Sequence, residues 1–398
     1  MKNFLLKILR SIPFIDIART LKNRAQSFWA SKRLWPKKFK MAIAGIHPNA
    51  NPLEDYRSIV TDAPLQKNAR APITIKVAGH DMKFAEFLFR DLPYETIFEK
   101  WLGHQTPPQT SLKQKKAEDI IFCEWALGNA IHYSKTCSKE QCLIIRFHAQ
   151  ELYSQLPYYI EVENVDVIIF VAEHTRQSAV RKYHWPVEKT IVIPNYIPPE
   201  YKHLSTRKKH SAREIQATST TIGMVGIVPR LKRLDLALDL LSLLSKKRPG
   251  TFQLAIKGKK PSQYEWLKNR PEELKYFKEQ MNRIEKDPLL KRHVNFVNEN
   301  VPMTDYYSDI DYIVSFSDRE SFHMALAEGI AAGAKPLVLR REGVLDIYRD
   351  IPIYADTAEL AAVIQKDSVP AYTLPPELDP GSVKDYYRKV FKLAFSKI

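Results

Sequence analysis

The clearest indication of the fold comes from the stretch Ser317-Asp-Arg-Glu-Ser-Phe-His-Met-Ala-Leu-Ala-Glu-Gly-Ile-Ala-Ala-Gly333. It follows a short apolar run, Tyr312 to Phe316, that has the composition of a buried strand, and it opens a helix. A strand that leads into a helix is one βα unit, and repeated βα units build a parallel sheet. The sequence therefore predicts a doubly wound α/β domain around this stretch.

The same alternation of apolar runs and amphipathic segments extends from about residue 73 onward. Further strands are predicted at Ile73–Ala78, Ile120–Glu124, Cys142–Phe147, Val165–Val171, Thr190–Ile193, Thr221–Val225, Phe252–Lys257, Val294–Val297 and Pro336–Leu339. Residues 194–220 interrupt the series with prolines, basic residues and a run of Ser and Thr, which is typical of a linker. The pattern indicates two Rossmann-like domains, in which ligands bind at the carboxyl ends of the strands.

These segments divide the chain into five predicted parts. They are a basic extension at 1–70, a first domain at 71–200, a linker at 201–220, a second domain at 221–375 and a C-terminal helix at 376–398 that can pack back on the first domain. A chain of 398 residues is long enough for two hydrophobic cores.

Composition narrows the class of protein. Hydrophobic residues make up 44% and charged residues 27%, which is the globular range. Three cysteines form neither a disulfide framework nor a zinc motif, so a reducing, cytoplasmic location is expected. No run of eighteen apolar residues occurs in the sequence, which argues against a transmembrane helix.

The net charge of +16 is concentrated in residues 1–40, which hold eleven basic residues and one acid, or 11 − 1 = +10. Apolar residues recur there at helical spacing beside Lys2, Lys7 and Arg10, so a basic amphipathic helix is predicted. It either lies on an anionic membrane, at its inner face, or packs on the protein itself. The basic interruptions disfavour a secretory signal, and no nucleic-acid-binding motif accompanies the charge.

The start of the helix predicted within residues 317–333 is a candidate anion site. We expect the backbone N–H groups of Ser321 and Phe322 to point out of its first turn, where the helix dipole favours a phosphate. Glu320 and Glu328 are eight residues apart, so both would project toward one side of the helix. Carboxylates accept hydrogen bonds from neighbouring hydroxyls, such as those of a ribose or a sugar ring.

On these residues the sequence resembles the retaining GT-B glycosyltransferases that carry an E-x7-E motif, over roughly residues 73–365. The match includes Gly223-Met-Val-Gly-Ile-Val-Pro-Arg-Leu-Lys-Arg-Leu-Asp235 and Ala255-Ile-Lys-Gly258. The resemblance implies an enzyme of cytoplasmic surface-polysaccharide synthesis, such as that of a capsule or O-antigen. It would use a nucleotide sugar as donor and a saccharide or lipid-linked acceptor, with neither a metal nor another cofactor.

The resemblance also implies roles for donor-site residues. Glu328 would hold the ribose, Glu320 would act beside the donor sugar, and Lys232 would contact the diphosphate, whose negative charge grows as the sugar leaves. The other donor contacts would be Gly226, Lys257, Ser321 and Phe322. The family often has an arginine directly after the glycine that Gly226 matches, whereas this chain has Ile227, and Arg230 would have to serve instead.

In the first domain, Arg146-Phe-His148 ends a predicted strand, and the resemblance places His148 near the donor sugar. Arg146 and Glu151 are then candidate acceptor contacts. After the first strand come His80, Asp81 and Lys83, which are also candidates for acceptor recognition. The competing interpretations are a structural histidine at 148 and a helix-capping Asp81.

Two other functions remain open at this point. A phosphotransferase that makes phosphate-linked polymers on a similar fold would release a nucleoside monophosphate. A scaffold of a polysaccharide assembly complex would need none of the candidate site residues.

Overall fold

The computed structural model describes residues 73–101, 118–204 and 219–395. The predicted basic extension at 1–70, most of the predicted linker and the last three residues lie outside the described residues. No helix in the described ranges combines the length and the apolar character needed to cross a membrane.

The described chain forms two six-stranded sheets in which every pairing is parallel. The first sheet contains β1 (Thr74–Gly79), β2 (Glu95–Lys100), β3 (Ile120–Glu124), β4 (Cys142–Phe147), β5 (Val167–Phe170) and β6 (Thr190–Val192). The second contains β7 (Thr220–Val225), β8 (Phe252–Lys257), β9 (Val294–Val297), β10 (Tyr312–Ser315), β11 (Lys335–Leu339) and β12 (Ile353–Tyr354). The predicted α/β fold of two Rossmann-like domains is confirmed.

Helices connect the strands, as parallel pairing requires. In the first domain they are α1 (Glu86–Arg90), α2 (Gly128–Thr136) and α3 (Glu173–Tyr183). The second domain has α4 (Leu234–Lys247), α5 (Pro271–Lys286), α6 (Pro288–His293), α7 (Met303–Ser308), α8 (Met324–Ala331), α9 (Val344–Ile347) and α10 (Thr357–Gln365). The chain closes with α11 (Pro380–Phe395), and the short 3-10 turns include Ala149–Tyr153 and Arg230–Lys232.

Strand order places one switch point in each sheet. The first sheet runs β2-β1-β3-β4-β5-β6, so the chain reverses its direction of growth between β1 and β3. The second runs β12-β11-β10-β7-β8-β9, which reverses between β7 and β10 and is the Rossmann order. The crevices at the carboxyl ends of these two strand pairs are where a doubly wound sheet binds ligands.

α11 follows the second domain in sequence but packs on the first. Its Tyr387 and Phe391 are fully buried against the first sheet, where they join Ile75 and Phe122 in one core. The hydroxyl of Tyr387 also accepts a 3.1 Å hydrogen bond from Arg146 of β4. The first hydrophobic core is therefore completed by residues from the far end of the chain.

Candidate active site

The second sheet brings a lysine and a glutamate together at its switch point. Lys232 lies in the 3-10 turn after β7, and Glu320 lies in the loop after β10. The ammonium of Lys232 pairs with Oε1 of Glu320, and the Ser317 hydroxyl donates to the same oxygen at 2.8 Å. Burial opposes ionisation of Glu320, but adjacent His323, Lys232 and Ser317 outweigh it and lower its pKa to about 2. The carboxylate is charged at neutral pH.

His323 is a third member of this cluster, and the sequence analysis did not single it out. It has a left-handed backbone with φ of 68° immediately before α8, which is uncommon for a residue with a side chain. Its Nδ1 is 2.7 Å from the Ser315 hydroxyl, and its Nε2 is 4.0 Å from Glu320. Burial lowers the pKa of His323 to about 3, so the ring is neutral at neutral pH.

The start of α8 differs from the prediction. The helix begins at Met324, so Ser321 and Phe322 precede it, and their N–H groups are not those of its first turn. Phe322 is 1% exposed and belongs to the core. Glu320 is likewise outside the helix, so the expectation that Glu320 and Glu328 share one helix face was wrong, because the left-handed His323 interrupts the helical path.

Glu328 lies within α8 and is half-buried. The hydroxyl of Tyr307 donates to its Oε2 at 2.8 Å. Burial raises the pKa of Glu328 to about 7, although the Tyr307 hydrogen bond opposes this shift. The side chain can therefore change its protonation state near neutral pH.

The loop after β7 leaves room at the switch point. Gly226 has φ of 70°, and a Cβ there would meet no atom within 4 Å, so the backbone is open to a ligand. Arg230 lies at the rim, with its side chain 56% exposed and its Nε 3.8 Å from Glu273. The structure brings Lys232 but not Arg230 into contact with Glu320.

Lys257 has a structural position, which corrects its predicted role as a donor contact. Its ammonium is buried and donates to three backbone carbonyls, those of Asn298, Glu299 and Val301. These hydrogen bonds use all three donors of the ammonium group and tie Lys257 to the loop that follows β9.

In the first domain, Arg146 and His148 are inside the protein. Arg146 is fully buried and makes a bidentate ion pair with Glu124, whose Oε1 also lies 3.0 Å from Nε2 of His148. Burial lowers the pKa of His148, so its ring is neutral. The predictions that His148 lies near the donor sugar and that Arg146 contacts an acceptor are corrected, because both side chains are buried against Glu124.

A pocket of about 460 Å³ opens at the switch point of the first sheet. Its lining includes two predicted residues, His80 after β1 and Glu151 after β4, and one that the sequence analysis missed, Trp125 after β3. The His80 and Trp125 rings are 5.4 Å apart, and Trp125 has a left-handed backbone with φ of 74°. Strained backbone of this kind is concentrated at functional sites.

Glu151 is deeply buried beside that pocket. Its Oε1 accepts from the N–H groups of Ala126 and His148, each at 3.0 Å, whereas its Oε2 has no hydrogen-bond partner among the described residues. Burial raises the pKa of Glu151 to about 8 despite those two N–H donors. The group is mainly protonated at neutral pH, and its acid can donate a hydrogen bond toward a ligand.

Asp81 and Lys83 are on the outside of this region. Their side chains form an exposed ion pair of 3.0 Å, and Lys83 also lies 4.8 Å from the Phe84 ring centre. The structure does not bring either of them into the pocket lining.

Two contacts join the domains beside Glu320. Nε2 of His174, in α3, lies 3.1 Å from the Glu320 carbonyl oxygen. The guanidinium of Arg319 lies 4.4 Å from the ring centre of Tyr153, which belongs to the 3-10 turn after β4. The cluster around Glu320 is thus at the boundary between the two domains.

This arrangement of two Rossmann-like sheets matches solved structures along most of the chain. HepE from Anabaena, in complex with UDP and glucose, aligns with a TM-score of 0.57 at 11% identity, over 81% of this chain and 99% of that one. A UDP-forming α,α-trehalose-phosphate synthase from Burkholderia xenovorans aligns with a TM-score of 0.56 at 11% identity, over 82% and 99%. The chain has the GT-B fold.

A glycosyltransferase from Rickettsia africae has the same GT-B arrangement, with a TM-score of 0.54 at 13% identity, over 82% of this chain and 97% of that one. No protein-family model matches the sequence, and no similar sequence was found among curated proteins. Within the described part of this GT-B fold, no group of three His, Cys, Asp or Glu residues could hold a metal ion.

Proposed function

We propose that this protein is a glycosyltransferase that moves a sugar from a UDP-sugar, bound by the second domain, to an acceptor bound by the first. The observation that carries the proposal is the Lys232–Glu320 pair at the switch point of a Rossmann-order sheet. It combines a phosphate-binding cation and a sugar-binding carboxylate where this fold binds ligands. UDP is the proposed nucleotide because HepE is solved with UDP and glucose.

The donor would lie across the carboxyl edge of the second sheet. Lys232 would contact the diphosphate beside the open backbone of Gly226, while Glu328 would accept hydrogen bonds from the ribose hydroxyls. Glu320 would then hold the sugar near the bond that breaks. Lys232 would stabilise the negative charge that develops on the leaving diphosphate, and such stabilisation is a major source of rate enhancement.

The acceptor would occupy the 460 Å³ pocket of the first domain. Trp125 and His80 offer aromatic surface to the apolar face of a sugar ring, and protonated Glu151 offers a hydrogen bond to a hydroxyl. His174, which contacts the Glu320 loop, would take the position near the donor sugar that the resemblance implies for His148.

We further propose a retaining reaction in the synthesis of a surface polysaccharide, on a saccharide or lipid-linked acceptor. The support for this is the resemblance to retaining GT-B glycosyltransferases, which rests in part on the E-x7-E motif formed by Glu320 and Glu328. Lys232 and Ser317 engage the ionised carboxylate of Glu320, and burial raises the pKa of Glu151 and of Glu328. Positioning and leaving-group stabilisation would supply most of the rate enhancement.

Thermal denaturation of the full chain with UDP, GDP, ADP and CMP tests the donor site. UDP should raise the melting temperature, since a ligand at a hundred times its Kd stabilises by about 2.7 kcal/mol. Lys232→Ala and Glu328→Ala should remove the shift. The exposed residues Lys247 and Glu265 provide matched controls, and Lys247→Ala and Glu265→Ala should keep it.

The nucleotide that the protein releases, and the effect of Glu320→Ala, distinguish the proposed function from the phosphotransferase and the scaffold. A glycosyltransferase releases UDP from a UDP-sugar, whereas the phosphotransferase would release UMP. A protein that shows no shift with any nucleotide, and whose Glu320→Ala variant still supports polymer synthesis, would be a scaffold.

A further inference from the structure

Arg341 is a buried cation that forms no ion pair among the described residues. It follows β11 by two residues and is 7% exposed. Within the described residues, its Nε and Nη2 are buried and have no hydrogen-bond partner, and its Nη1 reaches only the Glu342 carbonyl at 3.4 Å. A guanidinium in this state pays for desolvation without compensation, so a ligand that supplies the missing acceptors is the physical expectation.

Strand order locates Arg341 relative to the donor site. The carboxyl ends of β7, β10 and β11 are neighbours in that order and are followed by Lys232, Glu320 and Arg341 respectively. Adjacent strands are about 4.8 Å apart, so β7 and β11 are separated by about 10 Å. The strand that Glu320 follows, β10, therefore lies between the strand that Lys232 follows and the strand that Arg341 follows.

The positive charge of Arg341 acts on one histidine in each domain, His323 and His174. Burial is the main cause that lowers the pKa of His323 and of His174, and the positive charge of Arg341 acts in the same direction on both. Burial lowers the pKa of Arg341, and the negative charge of Glu320 opposes this shift. The described residues show no ion pair between Arg341 and Glu320, and the contacts of Lys232 and Ser317 with Glu320 are to its Oε1. A cation is thus held beside the sugar-binding carboxylate, at the domain boundary.

We propose that Arg341 binds a carboxylate on the sugar that is transferred, so that the donor is a nucleotide-linked uronic acid. This inference rests on the proposed function. The diphosphate has its own cation in Lys232, and a neutral sugar offers only hydroxyls, which do not balance a buried charge. A sugar carboxylate matches the planar fork of a guanidinium and pairs with it through two hydrogen bonds.

Isothermal titration of the full chain with UDP, UDP-glucose and UDP-glucuronate tests this assignment. The unaltered protein should bind UDP-glucuronate about tenfold or more tightly than UDP-glucose, as a charge-assisted pair provides. Arg341→Gln should abolish this preference, and Arg341→Lys should keep part of it, because it keeps the charge without the fork. Arg340→Gln removes the neighbouring exposed arginine and should leave the preference intact.

Three results would overturn the assignment. One is equal affinity of the unaltered protein for the two UDP-sugars. Another is an equal loss of affinity for UDP and both UDP-sugars in Arg341→Gln, which would make Arg341 a diphosphate contact. The third is a donor preference that Arg341→Gln retains, which would show that Arg341 does not contact the sugar carboxylate.

The UDP titration distinguishes failure of this inference from failure of the proposed function. A protein that binds UDP without preferring the uronate contradicts only the role of Arg341, whereas a protein that does not bind UDP contradicts the proposed donor. Arg341→Gln removes an uncompensated buried charge, so its melting temperature should not fall. If the melting temperature of Arg341→Gln does fall, the preference of the unaltered protein and of Arg341→Lys for UDP-glucuronate over UDP-glucose still tests the role of Arg341.

Discussion

Lys232 and Glu320 form an ion pair with each other. The pair is largely buried, with side chains 21% and 13% exposed, so neither charge is well solvated. A diphosphate that binds Lys232 must therefore compete with Glu320, and the carboxylate that it displaces becomes available for the hydroxyls of the sugar. We infer that donor binding exchanges one ion pair for two new contacts.

Glu151 gives a stability prediction with a definite sign. Its pKa is about 8 in the folded protein and about 4.5 when unfolded, so the folded state holds the proton more tightly. The stabilisation is complete below pH 4.5 and is lost as pH rises to about 8, by up to about 1.4 kcal/mol per pH unit. Urea unfolding from pH 5 to 8 should show this loss relative to Glu151→Gln.

Exposed Glu188 supplies the control for that measurement. The pH dependence of Glu188→Gln should follow that of the unaltered protein. Parallel curves for the unaltered protein and Glu151→Gln would mean that Glu151 is ionised in the folded state at neutral pH.

Sequence reasoning reached some of these residues and not others, for physical reasons. Glu320 and Glu328 were predicted because they follow a strand that is recognisable from its apolar run, and Lys232 was predicted from the family resemblance. His323, Trp125 and His174 were missed because their positions depend on left-handed backbone or on a contact between distant parts of the chain, and the burial of Arg341 has no local sequence signal. Arg146 and His148 were misplaced for a related reason, since burial beside Glu124 has no local sequence signal.

At the level of elements, ten of the twelve described strands were predicted. β3, β4 and β8 have the predicted bounds because buried strands are short, apolar and β-branched, and the edge strand β9 has its predicted bounds as well. The missed strands are β2, which has three exposed and three charged residues among its six, and β12, which has two residues. Both lie at sheet edges, where one face or side meets solvent and the apolar signal weakens.

The loop before α9 fits closely against the first domain. Gly343 has φ of 72°, and a Cβ there would lie 1.9 Å from Nδ1 of His174. Gly343→Ala should therefore push the domains apart beside Glu320. Small-angle X-ray scattering with UDP present should show a larger radius of gyration than for the unaltered protein.

Gly250 offers a close control, because its φ is 76° and a Cβ there would meet nothing within 4 Å. Gly250→Ala has a similar left-handed backbone penalty, about 1 kcal/mol, but no steric contact. An equal radius of gyration for both variants would show that backbone strain, rather than the His174 contact, determines the behaviour of Gly343→Ala.

At the scale of the whole molecule, the uneven charge predicts membrane attachment. Residues 1–40 contribute +10 of the net +16, and they lie outside the described residues. We propose that they bind anionic lipid, to which each Lys or Arg near the surface contributes about 1 kcal/mol. The full chain should sediment with phosphatidylserine-containing vesicles, and added salt should weaken the binding.

A triple change of Lys2, Lys7 and Arg10 to Gln should release the protein from these vesicles. The control changes three exposed lysines of the second domain, Lys246, Lys247 and Lys259, to Gln. If both triple variants bind equally well, residues 1–40 do not determine attachment.

The position of α11 affects how the protein is synthesised. Because Tyr387 and Phe391 complete the core around Ile75 and Phe122, the first domain remains open while the ribosome translates the entire second domain. At 5–20 residues per second, this delay is on the order of ten seconds or more. During that interval the nascent chain exposes an apolar sheet face to chaperones. The first domain, although it is synthesised first, therefore completes its core only after the second domain has been translated.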